Sequence, residues 1–178
     1  GTVASDRCSR LTPAKFFPDI GEKRHGGFKM PVQEGEYCGF MTGIEDPGIL
    51  VVTFNRPESL NASTAAMKRD LLEVLTQTQM DDAIRIVVFT GEGQAFWAGD
   101  DLKGYGGVSA EVPPIHQGHH NPSGTYNGLR TISQAVNTAV RNLDKISIAA
   151  INGFAIQTGF SFALACDFRI ASRSAKMG

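Results

Sequence analysis

The sequence predicts an α/β fold, and three observations carry that expectation. Apolar runs rich in β-branched residues recur at 49–54, 84–89, 146–151 and 168–171. Segments with apolar residues at helical spacing lie between them. The strand exits are marked by Gly and small polar residues. Strands alternating with helical patterns are the signature of βαβ units and a parallel sheet.

Taken in order, residues 1–35 are polar, with scattered Pro, Gly and charge and no sustained period, and are expected to form an irregular N-terminal extension. Residues 36–178 are expected to form the core. "EYCGFMTGIEDPGILVVTFNRPE" reads as two strands around a hairpin-like turn at Glu45, Asp46, Pro47 and Gly48. Asn61, Ser63 and Thr64 are N-cap candidates for a helix whose apolar stripe is Met67, Leu71, Val74 and Leu75. A strand follows at 84–89 and ends at Thr90-Gly91. Residues 104–124 are rich in Gly and Pro without a period and are expected to be a loop. Residues 129–143 return to helical spacing, 146–151 is a third buried strand, "GFSFALAC" a short helix and 168–171 a fourth strand.

The bulk numbers narrow the function classes. The chain has 178 residues, 42% hydrophobic and 20% charged, with a net charge of −1. That balance offers no electrostatic case for nucleic acid or an anionic membrane as the main partner. No apolar stretch approaches the length of a membrane span, and the N-terminus lacks the apolar centre of a signal peptide, although it starts with Gly, as a trimmed end would. The cysteines, Cys8, Cys38 and Cys166, are odd in number and irregularly spaced. This argues against a disulfide framework and a structural zinc site, and for a reducing, cytoplasmic setting.

Two strand-to-loop exits carry the candidate chemistry: "VVFTGEGQAFWAGDDLKG" and "IAAINGFAIQTGFSFALACD". Ligands of α/β proteins gather where strands hand over to loops and helix starts. Backbone N–H groups there have no intrahelical partner and carry partial positive charge. Two of them converging on one point form an oxyanion hole, each donor contributing about 3–4 kcal/mol as charge develops on a carbonyl oxygen. Gly99 and Gly159 would let backbones approach closely at these exits.

On "NRPESLNA", "FTGEGQAFWAGDDLKG" and "ISIAAINGFAIQTGFSFALACDFRIAS", in that order, the chain resembles the crotonase (enoyl-CoA hydratase/isomerase) superfamily from about residue 36 onward. The resemblance implies a crotonase-like spiral of ββα turns, the fold shared with Clp-type proteases, here a C-terminally truncated member lacking the last helical part. It implies that the backbone N–H of Asp100 is one oxyanion donor and that of Thr158, within the triplet Gln157-Thr158-Gly159, the other. Together they would hold the thioester oxygen of an acyl-CoA as it becomes an enolate. Ala98, Gly99, Asp101, Leu102 and Lys103 would line the acyl and pantetheine path, with Lys103 placed to meet a CoA phosphate. Ser59, Leu60, Asn61 and Ala62 would flank the same path, and Gly159 would close the second donor turn. No metal or redox cofactor is implied, since coenzyme A arrives as part of the substrate. A homotrimer, or a dimer of trimers, is the implied assembly.

The departures from the family pattern are informative. Hydratases of the family manage one water between two glutamates. The first of those positions is Ser161, which cannot accept and return a proton near neutral pH as a carboxylate does. The second falls just beyond Gly178. Isomerase, C–C lyase or hydrolase, and decarboxylase chemistry therefore stand beside hydration, as does a non-catalytic acyl-CoA-binding role. Clp-type serine-protease chemistry lacks its nucleophile, because Gln157 stands where the serine would be.

Blander roles compete at several positions. Asp100 reads as an oxyanion donor or a turn residue; if the former, its carboxylate should be paired or turned away from the developing charge. Asp101 reads as a structural cap, and Ser161 as a water holder or simply a small residue in a first helical turn. His116, His119 and His120 form "HQGHH" in the long loop, better read as an exposed loop than as a metal site. Tyr126 is a packing residue or a phenolic acid, and Trp97 core or pocket wall. "GEGQAF" begins like a dinucleotide fingerprint, but Phe96 occupies the place of the third glycine.

Overall fold

Leu50, Val52 and Phe54 are fully buried while Ile49, Val51 and Thr53 between them are half-buried, so the run at 49–54 is a strand with one face in the core. It belongs to a computed structural model that describes residues 31–101 and 122–178. Within these residues the strands are β1 (Gly35–Tyr37), β2 (Phe40–Glu45), β3 (Ile49–Phe54), β4 (Ile86–Gly91), β5 (Ala95–Trp97), β6 (Ile146–Ile151), β7 (Phe154–Ala155), β8 (Phe168–Ala171) and β9 (Lys176–Met177). The helices are α1 (Ala65–Met80), α2 (Pro122–Gly128), α3 (Gln134–Arg141) and α4 (Thr158–Ala165).

Two sheets result. Six strands lie in the order β1-β2-β3-β4-β6-β8, and three short ones in the order β5-β7-β9. The antiparallel hairpin β2–β3 turns at 45–48, as the sequence indicates, and β3, β4, β6 and β8 run parallel with Leu50 opposite Val87 and Ile148 opposite Phe168. With β4 and again with β6 the chain makes one strand in the large sheet, then a short one in the small sheet (β5, β7) and then a helix (α2, α4). This is the ββα rhythm expected of the spiral.

Of the three cap candidates Thr64 begins helix α1: its Oγ1 accepts from Met67 N at 3.1 Å. Its stripe of Met67, Leu71, Val74 and Leu75 is buried, and so is Lys68. Helix α4 carries Phe162, whose ring lies 4.9 Å from Phe89, 5.1 Å from Trp97 and 6.1 Å from Phe54. That cluster joins β3, β4 and β5 under one helix, and each aromatic pair adds about 0.5–1.5 kcal/mol beyond its burial. Trp97 is therefore core, 2% exposed, and its indole N–H donates to the Gly99 carbonyl at 3.1 Å.

Two expectations are corrected, and one element is added. The loop does not extend to residue 124, because α2 starts at Pro122 and leads through a π-helical turn, Leu129–Ser133, into α3. Proline suits a first helical turn, where its missing N–H costs nothing. The small sheet was not foreseen, since strands of two or three residues leave no readable alternation. Cys38 is disulfide-bonded, whereas Cys166 is a free buried thiol pushed up to about 12 by burial. An odd count excludes complete pairing, not a single pair.

Candidate active site at the two crossover turns

The site is built where the turn after β5 meets the turn between β7 and α4. Gly99 has φ +97°, and a side chain there would meet the Gln157 amide oxygen at 2.8 Å and its Cβ at 3.3 Å. A Cβ on Gly159 would lie 2.0 Å from the Trp97 carbonyl oxygen. Both glycines are thus places where one turn presses on the other. Ile156 N donates to that same Trp97 oxygen at 3.0 Å, which fixes the register between the turns.

Gln157 has φ 50° and ψ −116°, and Gly159 N bonds back to Ile156 O at 3.0 Å. These are the dihedrals of the first central residue of a type II′ turn, a place that glycine normally fills. Holding a glutamine there costs about 1–3 kcal/mol. The strained peptide is the one that ends in the Thr158 N–H. Thr158 opens α4, and no backbone or side-chain acceptor among the described residues takes its N–H.

The residues of the two turns touch directly: Thr158 Oγ1 donates to Asp100 Oδ1 at 2.9 Å. The same oxygen accepts from Ser63 Oγ at 3.0 Å and from the Lys68 ammonium at 2.6 Å. Lys68 Nζ also donates to Ser133 Oγ at 2.8 Å. Burial alone would raise the Asp100 carboxyl, but the Lys68 ammonium, then the hydroxyls of Thr158 and Ser63, overcome it and hold it below its ordinary 3.8. Burial in turn draws the Lys68 ammonium down, against the support of Asp100. The backbone of residue 100 is bracketed as well, since Ser63 N donates to Gly99 O and Asp101 N to Ser63 O, each at 2.9 Å.

The remaining candidates fall around this centre in different ways. Asp101 is paired with Arg56 at 3.0 Å, and Arg56 also reaches the Ala62 carbonyl. Ala98 N donates to Leu60 O at 3.1 Å, which sets "SLNA" beside the first turn. Ser59 ends a 3₁₀ turn, Pro57–Ser59, and Leu60 and Asn61 follow with φ 54° and 58°. Leu60 is 40% exposed and half-buried Ala62 borders it, whereas Asn61 is fully buried. Asn61 Oδ1 accepts from Arg56 N, and Nδ2 donates to the carbonyls of Glu92 and Ala95, so its side chain shapes the turn from inside rather than flanking an open path. Ser161 is exposed, in the first turn of α4, its N–H bonded to Gln157 O at 2.9 Å. Tyr126 is 61% exposed on α2. Leu102, Lys103, His116, His119 and His120 lie outside the described residues. Among the described residues no group of His, Cys, Asp and Glu is placed to hold a metal, and no helix is long and apolar enough to cross a membrane.

Comparison with known proteins decides the family. A profile described as enoyl-CoA hydratase/isomerase matches residues 45–178. The chain belongs to the enoyl-CoA hydratase/isomerase family. A protein of Arabidopsis thaliana named probable enoyl-CoA hydratase 1, peroxisomal, is 38% identical over 138 residues, which is 74% of this chain and 44% of the relative. The crystal structure of an enoyl-CoA hydratase from Bacillus anthracis superposes with a TM-score of 0.68 at 31% identity, covering 79% of this chain and 50% of that one. An enoyl-CoA hydratase structure from Mycobacterium smegmatis gives 0.66 at 28% identity, covering 79% and 50%. The chain thus spans about half the length of the relatives it matches.

Within this family fold, the functional candidate that sequence reasoning missed is Lys68. A signal was present: residue 68 falls on the apolar stripe between Met67 and Leu71, where a lysine is tolerated only with a buried partner.

Proposed function

We propose that the chain carries the oxyanion hole of an enzyme acting on acyl-CoA thioesters through an enolate. The observation that supports this reading most is the Thr158–Asp100 contact at 2.9 Å, which joins the two residues assigned as backbone donors. The strained Gln157 peptide supports it further, because strain at a turn persists where the surrounding structure holds one peptide orientation. In the proposed step a base removes the proton from C2 of the acyl group. The electron pair forms the C1–C2 double bond, and negative charge moves to the thioester oxygen, where the N–H groups of residues 100 and 158 receive it.

Ser161 favours a reaction other than plain two-glutamate hydration: double-bond isomerisation first, then C–C cleavage or decarboxylation, all through the same enolate. The coenzyme A is part of the substrate, no further cofactor is assigned, and the intact protein is read as a trimer or dimer of trimers. The cytoplasm is the proposed location. The peroxisome named for the Arabidopsis relative is the other compartment that imaging of the intact protein should test.

The enolate reading is tested by deuterium exchange. The intact protein in heavy water should exchange the C2 protons of butyryl-CoA, followed by mass spectrometry. Binding of butyryl-CoA without exchange would overturn the enzyme reading in favour of an acyl-CoA-binding protein. Incubation with a 3-enoyl-CoA then separates isomerase from hydratase by the position of the double bond in the product.

A further inference from the structure

We propose that Lys68 is a positioning residue for this chemistry: through the Asp100 carboxylate it ties together the two turns that present the backbone donors. The inference rests on the enolate reading above and adds to it a residue from a different element.

One oxygen, Asp100 Oδ1, gathers Lys68 of α1, Ser63 from the approach to α1, and Thr158 at the start of α4, while Asp100 itself belongs to the turn after β5. Lys68 extends the cluster to Ser133, in the π-helical turn before α3. Such turns are rare in helices and recur at functional sites. Lys68 is 1% exposed, and burying an ammonium is unfavourable unless a close partner compensates it. An apolar residue of similar length would fill this helix position with less cost, so packing alone does not account for a lysine here.

The local electrostatics supply the reason. Asp100 is asked to offer its N–H to a developing anion while carrying an anion of its own. Two like charges about 5 Å apart at an effective dielectric near 20 disfavour each other by a factor on the order of 10². The Lys68 ammonium on the carboxylate offsets that repulsion. The hydrogen bonds from Ser63 and Thr158 keep the carboxylate oriented along the α1 side, so the cluster combines charge compensation with a fixed separation of the two turns.

The test uses the intact protein and acetoacetyl-CoA, a β-ketothioester whose enolate has its own ultraviolet band, read at one fixed neutral pH. The wild type should enrich the bound enolate over its fraction in free solution. Lys68→Met should lower the enolate-to-keto ratio by about 10- to 100-fold, the scale of a charge or a donor displaced by an ångström. The double variant Lys68→Met/Asp100→Ala should recover the charge part of the loss, because it removes the repelling carboxylate and keeps the N–H of residue 100, and it should retain a several-fold deficit because the bond to Thr158 is gone as well. Affinity for butyryl-CoA should change little throughout. A wild-type ratio in Lys68→Met, or a double variant no better than the single one, overturns the proposal. Should Lys68→Met fail to fold by circular dichroism, Thr158→Val decides. It keeps the N–H and cuts the tie to Asp100, so it should lower the ratio several-fold, and an unchanged ratio overturns the proposal. If the wild type itself shows no enrichment, the enolate reading fails and this assignment falls with it. Enrichment that is indifferent to Lys68 removes only the assignment.

Discussion

Replacing Gly159 by alanine should weaken both the fold and the site, and the size of the effect follows from one contact. The added methyl would sit 2.0 Å from the Trp97 carbonyl oxygen and 2.7 Å from its carbon, so backbone must separate from backbone. No flexible side chain is available to absorb the clash. Overpacking of this kind costs about 1–3 kcal/mol. The displaced oxygen is also the acceptor for Ile156 N at 3.0 Å, and weakening that bond adds about 0.5–1.5 kcal/mol. The sum, about 1.5–4.5 kcal/mol, corresponds to a fall in melting temperature of about 3–18 °C for a chain of this size. Because α4 and the turn after β5 are pushed apart, Thr158 moves relative to Asp100, and an ångström of displacement lowers turnover by about 10²-fold. Calorimetry and acyl-CoA turnover on the same preparation measure the two effects. A variant within 1 °C of the wild type would refute the close-approach argument. A variant that melts early but turns over normally would refute the link between this packing and the site.

Three further outcomes are expected. Gln157→Gly relieves the left-handed strain but loosens the unfolded chain less favourably, giving a net gain of about 0.5–2 kcal/mol in urea unfolding; a loss would mean that the glutamine side chain holds the turn. Asp100 lies below its ordinary 3.8, so the folded state binds fewer protons than the unfolded chain between the two values. Its contribution is complete above 3.8 and is lost as pH falls through the folded value. Asp100→Asn should therefore flatten the acid limb of stability against pH, and an unaltered limb would contradict the pairing. Ser161→Glu, on an exposed first-turn position, should leave stability within about 0.5 kcal/mol and raise hydration of crotonyl-CoA by the intact protein. No gain in hydration would mean that the pocket is shaped for another reaction.

The parallel strands of the large sheet were legible because each is four or more residues long and bounded by turn residues, as at 49–54 and 146–151. Helix α1 was legible from its apolar stripe, while its cap was narrowed only to Asn61, Ser63 or Thr64, of which Thr64 caps it. The small sheet was not, because Ala95–Trp97, Phe154–Ala155 and Lys176–Met177 draw their order from neighbours distant in sequence. Helix α2 was hidden by "PSGTYNG", whose Gly and Ser give no apolar period although Pro122 suits its first turn. At the site, Asp100 and Thr158 were reached through their motifs, and the need to pair the Asp100 carboxylate followed from electrostatics. The partner itself was not legible, since nothing in the linear order connects residue 68 with residues 100, 133 and 158.

The central claim concerns the N–H of Thr158, and replacing the Gln157–Thr158 peptide bond by an ester removes that hydrogen while keeping the side chain and the turn. In the intact protein the account predicts a fall in turnover of about 10²–10³ with little change in KM, the signature of a donor that acts on the transition state. Turnover equal to that of the amide parent would contradict it.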